Sequence, residues 1–115
     1  MRYVITALIS TGLLFAQGAG HARRVIDRTS SDLRQAADFE RRHHGKEAER
    51  YENAQHHLSE FDREYVRGHF DKDKLDTAID DVKNVVEHNT LDPQGRDALR
   101  QDLEDLRLVR ADHDR

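Results

Sequence analysis

Eight histidines are the residues best equipped for chemistry in this chain, and their spacing decides what kind. Two adjacent pairs, His43/His44 and His56/His57, stand out, but neighbours on a helix point about 100° apart, so neither pair chelates as a unit. No two histidines stand at i, i+3 or i, i+4, which removes the helical zinc pair and the HExxH pattern. Mixed ladders remain. Glu52, His56 and Glu60 step by four, as do Glu40 with His44 and His43 with Glu47. Such ladders offer weak purchase for zinc, copper or nickel; as exposed pairs they contribute a few tenths of a kcal/mol, more when histidine is protonated. The surface-pair reading is preferred, so no metal ligand is assigned and transition-metal buffering stands as the alternative function. Glu40 and His43 spell one Glu-x-x-His unit, but a di-iron bundle needs two units and two further glutamates.

The run Asp71, Lys72, Asp73, Lys74, Leu75, Asp76 opens like a calcium loop and then fails. Leu75 offers no oxygen at the fifth position, and Asp76 replaces the turn glycine at the sixth. Helix capping explains these aspartates, with Asp76, Asp80 and Asp81 read as acids of a solvated face. Ser30, Ser31 and Ser59 lie in helical patterns without a nucleophile elbow, there is no cysteine, and no glycine-rich phosphate loop occurs. No catalytic residue and no cofactor is expected, and the chain is not read as an enzyme. Arg23, Arg24 and Arg28 make a basic stretch too short for a nucleic-acid patch in a chain of net charge −4.

The elements that must position these residues start after an N-terminal segment of different character. Arg2 is the sole charge in the first twenty residues, Tyr3 to Ala16 is an apolar run, and small residues follow to Ala22. That layout predicts a signal peptide over 1–22, with cuts after Ala16, Gly18 or Gly20 as alternatives, and a single domain over 23–115 in the periplasm or outside the cell. The apolar run is shorter than the roughly 20 residues that span a bilayer, so no stable membrane span is expected after signal removal. A cysteine-free exported chain must be held together by packing alone.

Beyond Ala22 the punctuation is Pro93 and three glycines, Gly45, Gly68 and Gly95. Ala48, Tyr51, Ala54, Leu58, Phe61 and Tyr65 step by three and four along one helical face, and Gly68 supplies a left-handed stop. Leu75, Ile79, Val82 and Val86, widened by Ala78 and Val85, mark a second helix with Asp71 or Asp73 as its cap. Asp92 and Pro93 start a third, burying Leu99, Leu103, Leu106 and Val109 or Leu108. Upstream, Ile26, Leu33, Ala37 and Phe39 give a sparser stripe, while Arg34, Asp38 and Arg42 form an outer ladder of alternating charge. Tyr51, Phe61, Tyr65 and Phe70 read as core, and Asn53 and Asn84 as candidates for a register-fixing buried hydrogen bond. No stretch alternates with period two, so strands are not expected.

The expected fold is therefore all-α: a long N-terminal helix over about 25–67, with a possible kink at Gly45, on an antiparallel helical hairpin over about 72–89 and 93–110. A helix of about 43 residues reaches roughly 64 Å, against roughly 27 Å for each partner. Either Gly45 breaks the rod and four helices of similar size pack together, or the N-terminal half projects. Projection or a mild kink is preferred, because a lone glycine costs a continuing helix only about 1 kcal/mol. The functional expectation follows from that mismatch: an interaction or self-associating module, engaging a protein partner or a second copy through the N-terminal helix around 25–44.

Overall fold

The computed structural model describes residues 2–43 and 47–114, with side chains from Gly20 onward. The chain is all-helical: α1 (Arg2–Arg42), α2 (Ala48–Tyr65), α3 (Lys72–His88) and α4 (Pro93–His113). They form a closed ring in which α1 packs on α2 and α4, and α3 packs on the same two from the opposite side. The α3–α4 hairpin stands as the sequence predicts, with α4 running on to His113.

Local chemistry accounts for most of the boundaries. Asp71 adopts an extended backbone and its carboxylate accepts the Lys74 N–H at 3.1 Å, which caps α3. Pro93 occupies the first turn of α4 beside an extended Asp92. The Asp92 carboxylate, which the Asp-Pro start suggests as an acceptor for the first free N–H groups, makes no capping bond; its backbone carbonyl accepts from the Arg96 N–H. After α2, Gly68 takes φ +88°, and the N–H groups of Gly68 and His69 return to the carbonyls of Tyr65 and Glu64.

The continuous helix over 25–67 is the main correction. Arg23 of α1 stands 3.0 Å from Asp62 of α2, and Ser30 is hydrogen-bonded to Gln55, so the chain reverses between Arg42 and Ala48. The conformation of Gly45 lies outside the described residues, but both flanking ends are tied. The His43 ring stacks on Phe39, with Nδ1 at 2.8 Å from the Phe39 carbonyl, and the Glu40 carboxylate accepts the Glu47 N–H at 3.1 Å. The energetic reason is the stripe. Val25, Ile26, Leu33 and Ala36 are buried, and burying large apolar side chains is worth about 1.5–3 kcal/mol each. Interrupting the helix at a glycine, where continuation is already disfavoured by about 1 kcal/mol, is cheap beside that gain.

Among the described residues of the 25–44 segment, the stripe of Val25, Ile26, Leu33 and Ala36 is turned into the core, and Ala37 and Phe39 are left half-buried. Leu33, Leu58, Phe61, Leu75, Leu99 and Leu106 are sealed in one core shared by all four helices. Phe39 is only half-buried, Ala48 is exposed, and Asn53 and Asn84 both face solvent rather than fixing register. What outruns the bundle is the other end of α1. That helix has 41 residues against 17 to 21 for the rest, in a molecule 58 × 30 × 20 Å, and the first of its described side chains to be buried is Ala22. Among the described residues no helix is long and apolar enough to cross a membrane.

Candidate functional site

The histidines sort into separate small contacts. Nε2 of His56 meets Glu60 at 2.9 Å on the surface of α2, and Nδ1 of His57 is bound to Asp81 across the α2–α3 seam. Glu52 is exposed and apart, Glu40 points into the α1–α2 turn, and Glu47 accepts the Thr90 N–H at 2.9 Å. Among the described residues the His56–Glu60 rung alone forms; the Glu40–His44 rung lies outside them. Among the described residues no group of three His, Asp or Glu side chains is placed to hold a metal ion. Asp76 and Asp81 are not simple solvated-face acids: Asp76 accepts from Arg110 of α4 at 2.8 Å, and Asp81 from His57. Ser30 is bound to Gln55 and Arg34, and Ser59 is exposed.

Two features do bring reactive or adhesive groups together. The first is an open cavity of about 540 Å³ at the end of the bundle from which α1 emerges, lined by His21, Ala22, Tyr65, Phe70, Val109 and His113 among others. Phe70 and His113 stack with ring centroids 3.7 Å apart and planes 5° from parallel, and Phe70 stands edge-on to both Phe61 and Tyr65. Gly68 turns the chain so that Phe70 reaches this end. An apolar, ring-lined concavity of this kind accepts an apolar or aromatic side chain. Phe61 is sealed below it while Tyr65 and Phe70 stay half-open, so the sequence reading of four aromatic core residues holds fully for Tyr51 and Phe61 alone.

The second feature lies along α1. Asp102 of α4 is completely buried; one oxygen accepts from Arg28 Nε at 2.7 Å, and Arg28 also holds Asp105. Asp32 lies alongside the buried carboxyl, and its negative charge disfavours ionisation of Asp102. Burial, followed by that contact, raises the Asp102 pKa to about 7 against the opposing pull of Arg28. Burial likewise pushes the Glu40 carboxyl up, opposed by the Glu47 N–H, and the Asp62 carboxyl up, opposed by Arg23. At the far end Asn89, also buried, is a polar hub. Its side chain accepts from Arg50 and donates to the Glu47 carbonyl, both at 3.1 Å, while Arg96 binds its backbone carbonyl. The Tyr51 phenol beside it is pushed up by burial.

Of these polar groups Asp102, Asp62 and Asn89 were not singled out from sequence, and Glu40 was read only as a surface ladder acid, although the signal was present. Asp102 sits three residues after Leu99 and one before Leu103, and Glu40 continues the stripe of Leu33 and Ala36 by four. Acids on an apolar stripe are the unusual observation.

Compared with known proteins, the chain matches no family model, no curated protein and no solved structure.

Proposed function

We propose that the protein is exported and acts in the periplasm or outside the cell as a small non-catalytic helical module that self-associates through the end of the bundle from which α1 emerges. The observation that carries this reading is the ring-lined cavity of Tyr65, Phe70 and His113 beside Ala22, where α1 enters the bundle. The 25–44 stretch offers less apolar surface than a projecting helix would, because Val25, Ile26 and Leu33 are buried within their own molecule. Export is supported by the pattern of Arg2, the apolar run to Ala16 and the small residues through Ala22. The helix passes through Ala22 unbroken and Ala22 is buried, so a cut after it removes one wall of the cavity and leaves the rings more open to a second chain.

Light scattering on the processed chain over a range of concentrations tests the reading. A dimer that His113→Glu and Tyr65→Glu both convert to monomer is the expected result, with N-terminal sequencing of the exported product fixing the cut. A chain that stays monomeric to about millimolar concentration, far above the affinity of a specific contact, removes the proposal.

A further inference from the structure

We propose that α1 is a pH-responsive helix: the buried carboxyls Glu40 and Asp102 and the half-buried Asp62 hold it against α2 and α4 while they carry protons, and release their grip as they ionise. The geometry singles α1 out. Among the described residues, the buried carboxylate oxygens that lack a hydrogen bond are Glu40 Oε1, Asp62 Oδ1 and Asp102 Oδ2. All three lie where α1 meets a neighbour: Glu40 at the α1–α2 turn, Asp62 against Arg23, and Asp102 against Arg28 and Asp32. Arg23 Nε is 3.0 Å from Asp62 Oδ1 yet is not aligned for a hydrogen bond, so that pair is attractive without being satisfied.

Charge balance at each place points the same way. At Asp102 the single guanidinium of Arg28 faces Asp102 and Asp105, with Asp32 alongside. At Asp62, Arg23 attracts the carboxylate while Asp27 of α1 repels it. At Glu40, Arg50 is the cation among the described residues that acts on the carboxylate, with Glu47 opposing it. Among the described residues carboxylates outnumber guanidinium groups at each place, and an ionised carboxylate short of donors in a low-dielectric seam is costly. The seams of α3 are built otherwise: Lys74 meets Glu64, His57 meets Asp81 and Arg110 meets Asp76, part-buried pairs in which each carboxylate faces a basic side chain.

The sign follows from the direction of the shifts. A carboxyl with raised proton affinity in the folded state contributes its full stability below the ordinary carboxylate range and loses it as pH rises, for Asp102 through about 7. Loosening α1 between mildly acidic and neutral pH uncovers the stripe of Val25, Ile26, Leu33 and Ala36. This device goes beyond the proposed contact and stands whether or not the chain self-associates.

Hydrogen exchange on the full chain at pH 5 and pH 8, corrected for intrinsic rates, tests it. Protection over 23–42 is expected to fall by about tenfold more than protection in α3, the equivalent of roughly one unit of proton linkage. Parallel changes in α1 and α3 overturn the proposal. Asp102→Asn, which mimics the protonated group, is expected to restore α1 protection at pH 8, and loss of protection at both pH values counts against it. Where that variant does not fold, Asp32→Asn takes its place, and carbon-detected titration of the wild-type side chains supplies an independent measure. An Asp102 carboxyl that titrates in the ordinary range overturns the inference outright.

Discussion

Ser30 and Gln55 hold each other twice across the α1–α2 seam: the hydroxyl donates to the Gln55 amide oxygen at 2.9 Å, and the amide nitrogen donates to the Ser30 backbone carbonyl at 2.8 Å. The serine oxygen also accepts from Arg34 at 3.1 Å. A glutamine bound to both the side chain and the main chain of one residue fixes the antiparallel register of two helices that the sequence alone does not separate. Gln55→Ala removes both bonds and leaves a part-buried hydroxyl with one partner fewer. The expected loss is about 1–2 kcal/mol, read from urea denaturation.

Leu33 distinguishes a docked α1 from a projecting one. Its side chain has no exposed surface, in a core that also holds Leu58 and Leu99. Leu33→Ala is expected to cost about 2–5 kcal/mol, as for any sealed leucine whose surroundings cannot fully collapse. On a projecting helix the same change would stay within about 0.5 kcal/mol. Urea denaturation of this single variant reads the difference.

Periodicity made α2, α3 and α4 legible because each stripe is rich and each boundary carries its own punctuation: Gly68 after α2, Asp71 before α3, Pro93 at the start of α4. The break after Arg42 was legible only as the less favoured of two outcomes, since Gly45 was the only local signal and a lone glycine need not end a helix. What decides it is remote: the apolar stripe of α1 closing on α4, and the carboxylate of Glu40 reaching the N–H of Glu47. The aromatic cavity is similar. Phe70 and His113 are far apart in sequence, and their stacking depends on the turn at Gly68 and on α4 continuing to His113. The buried acids were readable as anomalies on their stripes, but their partners Arg28 and Asp32 were not, because a helical pattern does not say which helix lies opposite.

Asn89 terminates α3 and joins three elements. Its side chain links Arg50 and the Glu47 carbonyl on the α2 side, while its own carbonyl takes Arg96 from α4. Asn89→Ala strands a guanidinium and a carbonyl in a part-buried place, and the expected cost is about 2–3 kcal/mol. Asn89→Asp is expected to recover little, since the carboxylate keeps Arg50 but loses the donor to Glu47 and adds a charge beside Glu40 and Glu47. Calorimetry on the pair separates lost bonding from lost volume.

Gly68 is conformationally demanding yet spatially free. Its φ of +88° lies in the left-handed region, and a methyl built there meets nothing within 4 Å. Gly68→Ala is therefore expected to cost about 1 kcal/mol through backbone strain alone. Gly68→Asn, better suited to that region, is expected to lie between the two. A cost several times larger in chemical denaturation would mean that the turn is packed more tightly than the open space around it shows.

Stability of the whole chain against pH is expected to peak on the acid side of neutrality. Asp102, with its proton affinity raised to about 7 by burial and by Asp32, contributes stability that is complete below the ordinary carboxylate range and disappears as pH climbs through that value. Glu40 and Asp62, shifted in the same direction by burial, steepen the decline. Asp114 opposes them: Arg110 and then Lys72 lower its pKa, so its contribution is present above the ordinary range and fades as acid protonates it. Asp114 is exposed and therefore screened, so the buried set governs the profile from pH 5 upward. Melting temperatures measured from pH 4 to 9 at constant salt should rise from neutrality to about pH 5 and then level or fall. In Asp102→Asn the slope between pH 5 and 8 should shrink most, because the group with the largest shift no longer titrates. A wild-type profile that climbs steadily from pH 5 to 8 would show that these carboxyls are ionised inside the fold at no cost.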